Sequence, residues 1–170
     1  MTAAPVWCEN RDMSSSTPPA GPPTVLLCTD GSDLALTAIR QGLALLVTPG
    51  RLVLLTVAPP VDPTLVTGTG FAGGVMSFDE KNDLVEAQRD AAQITLDETV
   101  VELGNPDIET KVEYGDAGRM ICDVAASLPA SVVVLGTHGR RGLRRAVMGS
   151  TADYVVRHAV CPVLVQQAQD

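Results

Sequence analysis

The sequence predicts an open α/β fold, a parallel sheet covered by helices on both faces. Three observations lead there. Short, unbroken runs of Val, Leu and Ile recur along the chain, the pattern of strands buried on both sides. Between them lie longer segments with helical spacing, opened by capping residues and closed by Gly or Pro. Five such strands alternating with four helices require right-handed crossovers, and crossovers of that kind build a parallel sheet.

Each element has its own reason. Residues 1–23 hold Ser14-Ser15-Ser16-Thr17-Pro18-Pro19 and Gly21-Pro22-Pro23, which propagate neither helix nor ladder. A flexible tail is expected there, with 24–170 as a single domain. Thr24–Thr29 reads as the first strand. Ser32 caps a helix running to about Val47, closed by Pro49-Gly50. Leu52–Val57 is the second strand, ended by Pro59-Pro60, and the loop 58–77 that follows is long for a compact domain. Ser77-x-x-Glu80 is a capping box, and Leu84, Ala87, Ala91, Ile94 and Val101 follow helical spacing behind it. Gly104-Asn105-Pro106 supplies a left-handed cap and a stop. Asp107–Glu113, more polar, is expected nearer the sheet edge. Asp116 caps a helix presenting Met120, Ile121, Val124 and Leu128, stopped at Pro129. Ser131–Gly136 is the fourth strand, Ser150-x-x-Asp153 opens a last helix to about His158, and Val160–Val165 is the fifth strand.

Composition excludes several classes of function. The 170 residues amount to one domain. Hydrophobic residues make up 45% but aromatics only 3%, so the core is aliphatic and base stacking on exposed rings is excluded. A net charge of −8 has the wrong sign for nucleic-acid phosphates. No apolar run approaches the ~18–20 residues of a membrane span, and the N-terminus lacks the apolar stretch of a secretory signal. A soluble, cytoplasmic protein with no membrane or nucleic-acid partner is expected. Cys8, Cys28, Cys122 and Cys161 show no CxxC spacing and read as bland thiols. His158-x-x-Cys161 straddles a helix end and a strand start, so no side-chain metal site is expected.

Ligands of open α/β sheets bind beyond the carboxyl ends of the strands, where strand order reverses. The segment from Gly136 to Ser150 begins where the fourth strand ends and finishes at a helix start. Its glycines let backbone approach a ligand closely, and the helix start offers free N–H groups and a positive dipole end. Ser150 can cap its own helix or donate to a phosphate oxygen. Arg140, Arg141, Arg144 and Arg145 fall in this one loop of an acidic protein, raising the local potential for an anion. Thr29-Asp30-Gly31-Ser32 follows the first strand. Asp30 there accepts from ribose hydroxyls or an adenine amino group, takes part in metal binding through water, or merely caps a helix or stabilises a turn.

Gly136-x-x-Gly139, nine residues, then Gly149-Ser150 resembles the ATP-binding signature of the universal stress protein family, glycine for glycine. Thr29-Asp30-Gly31-Ser32, Leu54-Leu55-Thr56-Val57 and the finish from His158 to Val165 are similar to that family as well. The resemblance covers about residues 24–166. It implies a Rossmann-like sheet of order 3-2-1-4-5, of the adenine nucleotide alpha hydrolase-like kind, with the first and fourth strands adjacent. It implies that Asp30 contacts the ribose and that Val57 and Leu135 line the adenine slot beside Thr29. Gly136, Gly139, Gly149, Ser150 and the backbone N–H of Thr151 would hold the phosphates of ATP, with Mg2+ bridging them. His138 and Arg140 in the same loop are further candidate contacts. Dimerisation through residues 161–165 is also implied. Thr56, Ser131 and Val160 depart from the family's usual His, Asp and Pro, and none of them touches the glycine signature.

Other motifs carry less. Gly68-Thr69-Gly70-Phe71-Ala72-Gly73 spells GxGxxG but lies ten residues past the second strand, too far for a dinucleotide fingerprint. No GxSxG elbow and no Walker A lysine occur. No catalytic residue is identified; His138 is the nearest to a general base and reads better as a phosphate-loop residue. The leading expectation is an ATP-binding, dimeric regulatory module of the stress response that signals its nucleotide state to another protein. The alternatives are a slow metal-dependent ATPase or autokinase, and a nucleotide-free interaction protein or cyclic AMP binder.

Overall fold

The strand that is buried at every position sits at the centre of the sheet. β1 (Thr24–Cys28) is buried at all of its positions, because it has a neighbour on each side and helices on both faces. The structure, a computed structural model, describes residues 22–46, 50–60, 78–137 and 148–167. Within them β2 (Arg51–Ala58), β3 (Glu109–Tyr114), β4 (Val132–Gly136) and β5 (Val163–Gln166) join β1 in one sheet of order β3-β2-β1-β4-β5. All four pairings are parallel. The expected α/β class and strand order are therefore those observed.

Side chains alternate along each strand, so the sheet presents two different faces. Val25, Leu27, Leu52, Leu54 and Val134 meet Ile39 of α1 (Asp33–Leu45) and Leu96 of α2 (Phe78–Leu103). Leu26, Cys28, Val53, Leu55, Val133 and Leu135 meet Ile121 and Val124 of α3 (Ala117–Ser127) and Val155 of α4 (Ser150–His158). Burying one large aliphatic side chain contributes about 1.5–3 kcal/mol, so these two layers supply most of what holds the fold.

The capping chemistry of α1 and α3 follows the sequence. Ser32 Oγ accepts from Ala35 N–H, and Asp116 accepts from Arg119 N–H at 3.0 Å. Gly104 takes φ +66° at the end of α2, the conformation that a left-handed cap needs. Asn105 then accepts from Asp107 N–H, so the turn extends further and β3 starts at Glu109 rather than Asp107. The polar β3 is an edge strand. Arg51 reaches both carboxylate oxygens of Glu109, at 2.7 and 2.6 Å, and Lys111 pairs with Glu113 at 2.9 Å. The Arg51 contact holds the Glu109 carboxyl below its usual range. Charges along an edge discourage further strand pairing there.

Three local expectations are corrected. In α2 the residues of the expected spacing are not the buried ones: Ile94 is 55% and Val101 79% exposed. Ala92, Leu96 and Thr99 face the sheet instead, and the Thr99 hydroxyl is satisfied by the Thr95 carbonyl at 2.7 Å. Ser150 does not cap α4. Gly149 holds the cap position with no side-chain bond, and Ser150 is the first helical residue. β5 begins at Val163, since Pro162 has no N–H to give a ladder and Val160 is exposed. The tail 1–21, the capping serine Ser77 and the 68–73 motif lie outside the described residues.

Candidate functional site

Asp30, Gly136 and the first turn of α4 gather at one end of the sheet because parallel strands all finish on the same side. β1 and β4 are neighbours, with Leu27 level with Val134, so Thr29 stands beside Gly136 by continuation of that register. The chain order reverses between these two strands: β2 follows β1 to one side and β4 lies to the other. This is the crevice in which open α/β sheets place ligands.

The described ends of the segment between β4 and α4 are tied together by the backbone. Thr137 N–H donates to the Gln166 carbonyl at 3.1 Å, extending the β4–β5 ladder by one step. The chain leaves at Thr137, and on its return Gly149 N–H donates to the Thr137 carbonyl at 2.8 Å. That single bond brings the start of α4 to the carboxyl end of β4. The first intrahelical bond is Asp153 N–H to Gly149 O, so the N–H groups of Ser150 and Thr151 precede the helical ladder. Ser150 is exposed and Thr151 half-buried. Oriented N–H groups at a helix start, reinforced by the macrodipole, attract an anion. His138, Gly139 and Arg140, together with the other loop arginines, lie outside the described residues.

At the end of β1 the side chains are locked by short-range bonds. Thr29 is buried, its N–H donates to Leu55 O at 2.9 Å, and its hydroxyl accepts from Gly31 N–H at 3.0 Å. Gly31 has φ +77°, which glycine adopts without strain. Asp30 Oδ1 accepts from Ser32 N–H at 3.1 Å and from Ser32 Oγ at 2.6 Å. Thr29 thus closes the turn, and Asp30 is the charged group presented beside it.

Val57 and Leu135 both belong to the face that carries α3 and α4. β1 runs between their strands, and its residues on that same face are Leu26 and Cys28. Cys28 reads in the sequence as a bland thiol; the alternation Leu26, Cys28 within the first strand places it on this face, level with Leu55 and, by continuation of the register, with Leu135. It is 8% exposed, and burial pushes its thiol far above the ordinary range. Cys122 and Cys161 pack at the margin of the same cluster and are raised by desolvation as well. Among the described residues no group of three His, Cys, Asp or Glu side chains is arranged to hold a metal ion. None of the described helices is long and apolar enough to cross a membrane.

Comparison with known proteins bears on the family and the fold. The sequence profile of the universal stress protein family matches residues 23–166. Universal stress protein Sll1388 of Synechocystis is 32% identical over 149 residues, covering 84% of this chain and 96% of that protein. Universal stress protein E of Escherichia coli is 36% identical over 102 residues, and that match spans 31% of its length. Among solved structures, universal stress protein UspA from Lactobacillus plantarum aligns with TM-score 0.66 and 25% identity, over 86% of this chain and 98% of that one. A universal stress protein in complex with cAMP aligns with TM-score 0.54 and 23% identity, over 88% of this chain and all (100%) of that one. The Arabidopsis thaliana family protein At3g01520 with AMP bound aligns with TM-score 0.53 and 19% identity, over 87% and 93% of the two chains. With the profile spanning the whole sheet and a relative matched over nearly its full length, this chain belongs to the universal stress protein family.

Proposed function

We propose that residues 24–170 form one adenine-nucleotide-binding domain that takes ATP with Mg2+ and serves as a regulatory module of the stress response. The observation that carries this reading is the Gly149 N–H to Thr137 O bond, which sets the open N–H groups of α4 at the end of β4, beside the strand that ends in Asp30. Gly136, Gly139, Gly149, Ser150 and Thr151 hold the phosphates, His138 and Arg140 add contacts, and Mg2+ bridges phosphate oxygens. Asp30 accepts from the ribose, Thr29 shapes the turn, and Val57 and Leu135 flank the base. Family structures carrying AMP and cAMP support an adenine nucleotide as the ligand class. The protein works in the cytoplasm as a homodimer joined through residues 161–165, and its bound state is read by a protein partner.

Calorimetric titration of the full chain, freed of nucleotide, with ATP and Mg2+ tests this directly. One saturable site per chain is expected. Asp30→Asn should weaken it about tenfold, the worth of a hydrogen bond to a charged acceptor. A folded protein that takes up none of ATP, AMP or 3′,5′-cyclic AMP would leave the glycine loop a structural feature.

A further inference from the structure

α2 has two apolar stripes, and only one of them meets the sheet. Ala92, Leu96, Thr99 and Leu103 turn inward. On the outward side Leu84, Ala87, Ala91, Ile94, Glu98 and Val101 succeed one another at steps of three and four, which are the a and d positions of a heptad. All but the half-buried Leu84 are exposed. The same frame puts Asp83, Asp90 and Asp97 at its g position, so an exposed carboxylate recurs every seven residues along the margin of this seam. The charge is concentrated here too. Residues 78–103 carry eight carboxylates against Lys81 and Arg89, a net −6 in a chain of −8. Glu102 is paired with Arg40 at 3.1 Å, whereas Asp83, Asp90 and Glu98 have no ion pair among the described residues.

Apolar residues repeating at heptad spacing match another helix, because that spacing keeps the seam facing its partner. A second copy of α2 is the wrong partner. Laid parallel, it would set Asp83, Asp90 and Asp97 against Gln88, Thr95 and Glu102 of its copy; laid antiparallel, it would set aspartate against aspartate. Neither arrangement brings a cation to the carboxylates, and like charges across an interface select against it. We infer that the outward face of α2 is a docking surface for a helix of another protein, one with apolar residues at heptad spacing flanked by Lys or Arg. Its cations meet Asp83, Asp90 and Asp97 and fix the register. Its apolar residues cover Ile94 and Val101, and the small Ala87 and Ala91 let the two backbones come close. The apolar seam supplies affinity, and the charged margin supplies choice of partner. This surface lies on the sheet face opposite α3 and α4, so it serves whether or not the proposed nucleotide site is filled.

The test uses a labelled synthetic peptide of four heptads with Leu at a and d and Lys at e and g, titrated with the full chain at physiological salt and followed by fluorescence anisotropy. The wild-type chain should prefer it both to a scrambled peptide of the same composition and to a twin with Glu in place of Lys. Ile94→Gln with Val101→Gln should weaken binding about tenfold or more. Both side chains are exposed, so thermal melts should show this variant folded. Asp90→Lys with Asp97→Lys should turn the preference toward the Glu peptide. Asp107→Lys with Asp123→Lys, the same change of charge at exposed positions off the helix, should not. Equal binding of the ordered and scrambled peptides would mean diffuse attraction to an acidic protein, and overturns the inference. So does a folded wild type that binds neither peptide, binding untouched by the Gln pair, or an off-helix pair that acts like the seam pair. If the Gln pair changes the sedimentation of the chain alone, a second copy covers the stripe, and the inference falls.

Discussion

Gly42 shows at the scale of one residue how closely α1 lies on the sheet. A Cβ placed there would meet Val134 Cγ1 at 2.5 Å and Leu164 Cδ2 at 2.9 Å. Val134 is fully buried and has no room to turn away. Gly to Ala inside a helix ordinarily gains up to about 1 kcal/mol, whereas forcing a methyl into a packed core costs about 1–3 kcal/mol. The second effect is expected to win. Gly42→Ala should lower the urea midpoint of unfolding with an unchanged slope. Nothing in the sequence around Gly42 distinguishes it from a tolerated helix glycine, because the atoms that confine it come from β4 and β5. Asp30 is the opposite case. Its place after a buried strand and before a capping serine was legible, and only the two hydrogen bonds from Ser32 had to be seen.

At the scale of the element, α2 is where periodicity and packing part company. The helix has few large apolar residues and carries two stripes at three-to-four spacing. The stripe holding Ile94 and Val101 fits the helical spacing, yet it faces solvent. The sheet takes the stripe with Ala92, Leu96 and Thr99, and Val100 and Leu103 pack beside it where α2 lies over β2 and β3. Leu96→Ala is expected to cost about 2–5 kcal/mol, while Ile94→Ala should stay within about 0.5 kcal/mol. Chemical denaturation of the two variants side by side decides between the stripes, and equal losses would count against this orientation. α4 shows the same limit on a smaller scale. Ser150 has the right chemistry for a cap, but the Gly149–Thr137 bond sets the chain one residue earlier.

For the whole molecule, the two sheet edges differ in kind. β3 is guarded by Arg51–Glu109 and Lys111–Glu113. β5 carries Val163, Leu164 and Val165 with no charge among its four residues. The carbonyls of Pro162 and Gln166 accept from Val133 and Thr137, so by alternation the N–H groups of Val163 and Val165 point away from β4. An uncharged strand with outward N–H groups is a template for pairing. The proposed dimer should therefore be lost in Val165→Pro, which removes one outward N–H and no bond to β4. Sedimentation is expected to give a dimer for the wild type and a folded monomer for this variant; a variant that stays dimeric would move the interface elsewhere.

The sequence by itself determined the fold class, the alternation of elements, the capping of α1 and α3, and the strand end at which to look for a ligand. These follow from local rules: the period of two or of 3.6, the chemistry of caps, and the stops set by Gly and Pro. The resemblance to the family added the strand order, which local rules leave open. Only the tertiary structure decided which stripe of α2 is buried, that Cys28 lies between Leu55 and Leu135, that Gly149 rather than Ser150 holds the cap position of α4, and how Ser32 holds Asp30. Each depends on atoms brought together from distant strands or on the orientation of one side chain, and a pattern along the chain carries neither.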